Sequence, residues 1–197
     1  TASDTSVPKP LKFLRPHYPR LKAVHDKLEA GPDKSLCASV LSALAMTVKG
    51  DREVLKFRLL GLEVDVAAWG QEYVKHLSAE LGEEWNAVAE AEAAAKDKAK
   101  AAEEKKTHKE RLLALAKDIV QYYLKHNSEV EACDLRTVMG QAELVLELAD
   151  EGSFQRMGLY LVSCAPYLPE PDNTTILTTA MRLYHRFAQP NQALVCA

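Results

Sequence analysis

The sequence predicts an all-α fold of antiparallel helix pairs, stacked as an irregular α-solenoid-like arm that carries a long Ala/Glu/Lys-rich projecting helix or helical hairpin. Three observations predict it. Apolar residues recur at helical spacing, as in Cys37, Val40, Leu41, Leu44 and Val48 at i, i+3, i+4, i+7 and i+11. Prolines, glycines and hydroxyl caps punctuate the chain closely enough to leave only short connectors, the mark of antiparallel neighbours. No run of alternating apolar and polar residues reads convincingly as a strand. The sequence has no exact internal repeat, so the solenoid expectation rests on helix and connector length.

Taken in order, residues 1–10 (TASDTSVPKP) are small, polar and proline-bearing, and read as a flexible or extended lead-in to a single helical domain over residues 11–197. Pro16 and Pro19 should keep the next stretch irregular, with a short helix from about Arg20 to Glu29 that Gly31-Pro32 stops. The Cys37 to Val48 stripe marks the following helix, closed by Lys49-Gly50. Asp51 is placed to cap a helix ending at Leu60-Gly61, and from Asp65 onward Trp69, Tyr73, His76 and Leu77 share one helical face.

Residues 87–106 consist almost wholly of strong helix formers and predict an exposed helical insertion. Glu92 and Lys96 stand in the favourable i, i+4 order, worth about 0.2–0.5 kcal/mol. Between Glu90 and Arg111 there are seven Lys or Arg and six Asp or Glu, a balance unlike a nucleic-acid arm. Two capping boxes follow, Thr107 with Glu110 and Ser128 with Glu131. The first predicts a helix carrying Leu112, Leu115, Ala116, Ile119 and Tyr123 to about His126-Asn127, the second a helix to Met139-Gly140.

Further helices are expected at about Gln141 to Ala149, Phe154 to Ala165 and Thr174 to Ala188. Pro166, Pro169 and Pro171 force an extended connector between the last two, because proline lacks a donor and clashes within a helix. Asp172 or Asn173 can cap the next helix. Pro190 opens a final helix of about two turns, which reads as the edge of a fragment of a longer protein.

Composition narrows the function classes. With 197 residues and 47% hydrophobic content, the chain can bury a core of its own. A formal charge of -3 gives no general attraction to nucleic acid or to an anionic membrane. No apolar run reaches the roughly 20 residues that cross a bilayer. Cys37, Cys133, Cys164 and Cys196 lie far apart in apolar helical settings without a CxxC pair, and read as reduced, buried thiols of a cytoplasmic or nuclear protein. Lys9, Lys12, Arg15, Arg20, Lys22 and Lys27 outnumber Asp26 and Glu29, and read first as a solvated surface and second as a basic contact surface.

Reaction chemistry finds few candidates. The phosphate-loop, dinucleotide, GxSxG and HExxH signatures are all absent from the sequence. His76 has no second His at helical spacing and reads as packed and hydrogen-bonded. Glu83 and Glu84 beside Trp85 point to different sides of a helix. Cys133 and Asp134 follow His126 by seven and eight residues, but a buried structural thiol is the better reading of Cys133. No catalytic, cofactor or metal residue is assigned, and no protein-binding residue can be named.

Five stretches occur in one order: LKFLRPHYPRLK (11–22), LAMTVKGDREVLKFRLLG (44–61), AWGQEYVKHL (68–77), HNSEVEACDL (126–135) and LYLVSCAPYLPEPDN (159–173). Together they resemble the N-terminal part of the non-ATPase regulatory subunit 2 family of the 26S proteasome. The resemblance implies a non-catalytic scaffold in the base of the regulatory particle, acting in ubiquitin-dependent degradation beside proteasomal ATPase and other regulatory-particle subunits. It further implies that ubiquitin receptors, shuttle factors and a deubiquitinase dock on repeats beyond residue 197. The Ala/Glu/Lys stretch is longer than the family pattern implies and reads as a surface insertion. The competing expectation is a helical-repeat adaptor unrelated to the proteasome, whose basic segment binds an acidic partner.

Overall fold

The computed structural model describes residues 9–48, 50–94 and 102–196, and every regular element among them is helical. They fall into two compact units, one ending at Ala87 and the other beginning at Val88.

In the first unit, α1 (Lys9–Leu14), a 3-10 turn (Arg15–His17) and α2 (Tyr18–Lys27) follow one another without a break. Helix thus begins inside the stretch expected to be extended, and Pro16 and Pro19 do not keep it irregular. Both prolines stand in the first turn of their segments, where the missing N–H has no intrahelical partner to lose. Leu11, Tyr18 and His25 turn inward, and His25 meets Phe57 edge-on at 5.4 Å.

α3 (Pro32–Ala45) packs on α2 and on α4 (Glu53–Leu60). It stops at Ala45, short of the predicted end: Val48 is outside it and Lys49 lies outside the described residues. Its second half is buried around most of its circumference by Leu41, Ala43, Leu44 and Ala45, wider than the predicted stripe. Ser42 resolves the polarity of that contact by donating to the Val54 carbonyl at 2.7 Å and bonding the Tyr73 hydroxyl at 2.8 Å. Gly61 lets the end of α4 close on α3, since a Cβ there would lie 2.6 Å from Ser39 Oγ.

Asp51 does not cap α4. Arg52 holds the N-cap position in the left-handed region, at φ 51°, and offers no side-chain cap. The cap comes from another helix: Glu80 of α5 (Gln71–Ala94) accepts the Leu55 amide at 2.8 Å and also bonds the Val54 amide. A carboxylate at a helix N-terminus satisfies free amides and complements the dipole wherever in the chain it originates. Trp69 is not on the α5 face predicted for it. It ends a 3-10 turn (Val66–Trp69) capped by Asp65, and Gly70 at φ 86° separates the two elements. Tyr73, Val74, Leu77 and Leu81 form the buried face of α5.

In the second unit, the last turns of α5 meet α6 (Ala102–Lys125) through an ion pair between Glu92 and Lys109 at 2.6 Å. That juxtaposition is the one a helical hairpin produces. The expected Glu92–Lys96 pair lies outside the described residues. Thr107 does not open α6, which already runs from Ala102, because the upstream Ala, Glu and Lys residues propagate helix through it. Ser128 does sit at the N-cap of α7 (Glu129–Val138), but without a side-chain hydrogen bond.

Three helix ends here share one device. Asn127, Gly140 and Ala188 each take a positive φ, and the next amide reaches back five residues: Ser128 to Tyr123, Gln141 to Arg136 and Gln189 to Tyr184. These are Schellman closures, which use a left-handed residue just past the helix to satisfy its last carbonyls.

A 3-10 turn (Ala142–Leu144) and α8 (Val145–Leu148) lead to α9 (Phe154–Cys164), whose start is fixed by Asp150 accepting from the Ser153 amide at 2.8 Å and hydroxyl at 2.6 Å. The connector after α9 is less extended than predicted. Pro166 belongs to a 3-10 turn (Ala165–Tyr167), Leu168 is extended, and α10 (Asp172–Arg186) starts two residues early behind Pro171. Neither Asp172 nor Asn173 is the cap; Asn173 Oδ1 instead accepts from the Thr174 amide. α11 (Pro190–Val195) then packs on α10.

Successive contacts of α6 with α7, α7 with α9, α9 with α10 and α10 with α11 give this unit its solenoid-like order. Its core joins Met157 and Leu161 to Ile176, Ala180 and Leu183, each fully buried Met, Leu or Ile side chain contributing about 1.5–3 kcal/mol. Gly158 brings α9 against Tyr184, whose ring would lie 2.5 Å from a Cβ at that position.

Candidate protein-interaction surfaces

Several of the reactive candidates are buried or engaged by neighbouring groups. Cys133 is fully buried, and burial pushes its thiol up to about 12, far from a nucleophile's range. His126 stacks on Tyr122 at 4.1 Å and directs Nδ1 to the Tyr122 carbonyl at 2.8 Å. Glu84 pairs with Arg52 at 2.7 Å while Glu83 is exposed, so the two carboxylates have different surroundings. His76 is half-buried on α5. Among the described residues no three His, Cys, Asp or Glu side chains converge as metal ligands, and no helix is long and apolar enough to cross a membrane. All four cysteines are free thiols, with Cys133 and Cys196 buried but Cys37 and Cys164 only half-buried, less enclosed than their sequence settings predict.

The remaining polar groups join helices. Glu53 receives Tyr18 at 2.8 Å and the Lys22 ammonium. Burial alone would raise its carboxyl, but these partners outweigh burial and hold it below its ordinary value. Glu129 receives Arg156 at 2.5 Å, linking α7 to α9. Phe154 stacks on Phe187 at 4.5 Å between α9 and α10.

What the fold leaves outward is apolar in places where side chains of this size are usually covered. In the first unit Phe13 is 79% exposed and Val24 51%. In the second, Tyr167 is 89% exposed and Leu159 65%, and Leu194 and Val195 are also outward. Sequence reasoning missed Phe13 because it began the helix at Arg20. The spacing of Phe13, Arg20 and Lys27 at seven-residue intervals was the available signal.

The RPN1 N-terminal domain model matches residues 1–197. The chain is 40% identical over its full length to 26S proteasome non-ATPase regulatory subunit 2 homolog A of Arabidopsis thaliana, covering 21% of that protein. It is 39% identical over 98% of its length to the 26S proteasome non-ATPase regulatory subunit 2 of Dictyostelium discoideum, and equally to the 26S proteasome regulatory subunit rpn1 of Schizosaccharomyces pombe. It spans about a fifth of the length of each. By this match along its whole length, the chain belongs to the RPN1 N-terminal domain family.

Proposed function

We propose that this chain is the N-terminal helical arm of a non-catalytic scaffold subunit in the base of the proteasome regulatory particle, serving ubiquitin-dependent protein degradation in cytoplasm and nucleus. The observation that carries this is the identity of about 40%, along the entire chain, to proteins named as proteasome regulatory subunits. The burial of Cys133 and the engagement of His126 by Tyr122 support a role through surfaces instead of reactions. Its partners are the proteasomal ATPase subunits and other subunits of the regulatory particle, while ubiquitin receptors, shuttle factors and a deubiquitinase engage the part of the protein beyond residue 197. Immunoprecipitation of the full-length protein from native extract with ATP should recover base ATPase subunits, and their absence would overturn the assignment.

A further inference from the structure

From Lys9 to Lys27 the chain stays in right-handed helical space, with Leu14 at φ -80°, ψ -19° and His17 at φ -91°, ψ -1° joining α1, the 3-10 turn and α2. This rod has two distinct stripes. Leu11, Tyr18 and His25, seven residues apart, are buried. Phe13, His17, Arg20, Val24 and Lys27 follow i, i+4, i+7, i+11 and i+14 and are all exposed. Only Phe13 and Val24 of the five are apolar, so together they make a polar face with two apolar anchors.

Charge identifies the kind of helix. Residues 9–25 contain no carboxylate at all. Lys22 is committed to Glu53, whereas Arg15, Arg20 and Lys27 are exposed and enter no ion pair among the described residues. The carboxylates at the end of the rod are Asp26, which lies 3.4 Å from His25, and Glu29 beyond α2. Phe13 and Val24 are thus apolar anchors flanked by cations, complementary to an apolar strip bordered by Asp or Glu.

We propose that the Phe13–Lys27 face docks an acidic amphipathic helix of another protein subunit. An anionic membrane shares the charge logic, but it needs a broad apolar face, and this stripe carries only two large apolar residues eleven positions apart. The proposal adds a surface and a partner chemistry to the proposed function without depending on which assembly holds the partner.

The test places a photo-crosslinking phenylalanine analogue at position 13 of the full-length protein in its native complex. Crosslinks should map to a helical segment of another subunit that is net negative around the captured residue. Crosslinks to residues 1–8 of the same chain, to a neutral or basic segment, or to nothing overturn the proposal, as does binding to phosphatidylserine/phosphatidylcholine vesicles without a protein crosslink. R20E/K27E should weaken retention of the crosslinked partner at least tenfold, with R20K/K27R unchanged; equal retention by both overturns it. An acidic-helix crosslink in a complex lacking proteasome subunits would support this inference while overturning the proposed function. Recovery of proteasome subunits with no crosslink from position 13 would do the reverse.

Discussion

At the scale of single residues, two backbone positions have opposite mutational signatures. Gly158 has no room for a methyl group, since Tyr184 is fixed in the α9–α10 contact. Gly158→Ala should destabilise the chain by about 1–3 kcal/mol, the usual cost of overpacking, seen as a lower urea midpoint. Ala188 closes α10 with φ 53°, a conformation that burdens a Cβ. Ala188→Gly should therefore stabilise by about 0.5–1 kcal/mol in the same measurement, because strain relief exceeds the added freedom of the unfolded chain. Cys133 should resist iodoacetamide in the native protein while half-buried Cys37 and Cys164 label faster, a ranking that peptide mass mapping reads directly. The sequence made Cys133 legible as a packed thiol, because its helix gives it an apolar setting. It could not reveal Gly158, whose meaning depends on a tyrosine twenty-six positions away.

At the scale of elements, helix existence was legible and helix starts often were not. Apolar periodicity locates α6, α7, α9 and α10 because one face of each enters the core. Starts failed where the satisfying group comes from elsewhere or where propensity carries helix past a hydroxyl. α4 is the first case, with Glu80 in place of Asp51; α6 is the second, with Thr107 inside it. Glu80→Ala should cost about 1–2 kcal/mol by leaving two α4 amides without their cap, and hydrogen exchange should rise first at Val54 and Leu55.

Glu53 contributes one part of the pH response of the same unit, and Glu80, whose carboxyl burial raises, acts in the opposite sense. The folded Glu53 carboxyl titrates below the ordinary value of 4.5, so the unfolded chain binds that proton first as pH falls. The stability it contributes is present above 4.5 and is lost as pH drops through the lower folded value. Glu53→Gln should flatten this part of the stability curve, and an unchanged acid dependence would show that the Tyr18 and Lys22 contacts do not hold the carboxyl down.

For the whole molecule, the all-α architecture was readable from period and punctuation, and the family from five ordered phrases that now sit in α1–α2, α3–α4, the α5 entry, α7 and the α9–α10 joint. The proposed interaction face was not readable. Exposure follows from which stripe of a helix the rest of the fold covers, and α1–α2 becomes informative only once Leu11, Tyr18 and His25 are known to face inward. Buried or engaged reactive groups and exposed apolar side chains support the proposed role through surfaces. The central claim is membership in the regulatory particle, and subunit stoichiometry tests it most directly. Quantitative mass spectrometry of regulatory particles purified with ATP through an ATPase subunit should find peptides from residues 1–197 in fixed ratio to the ATPases. Their absence, or trace amounts that vary between preparations, would contradict the account.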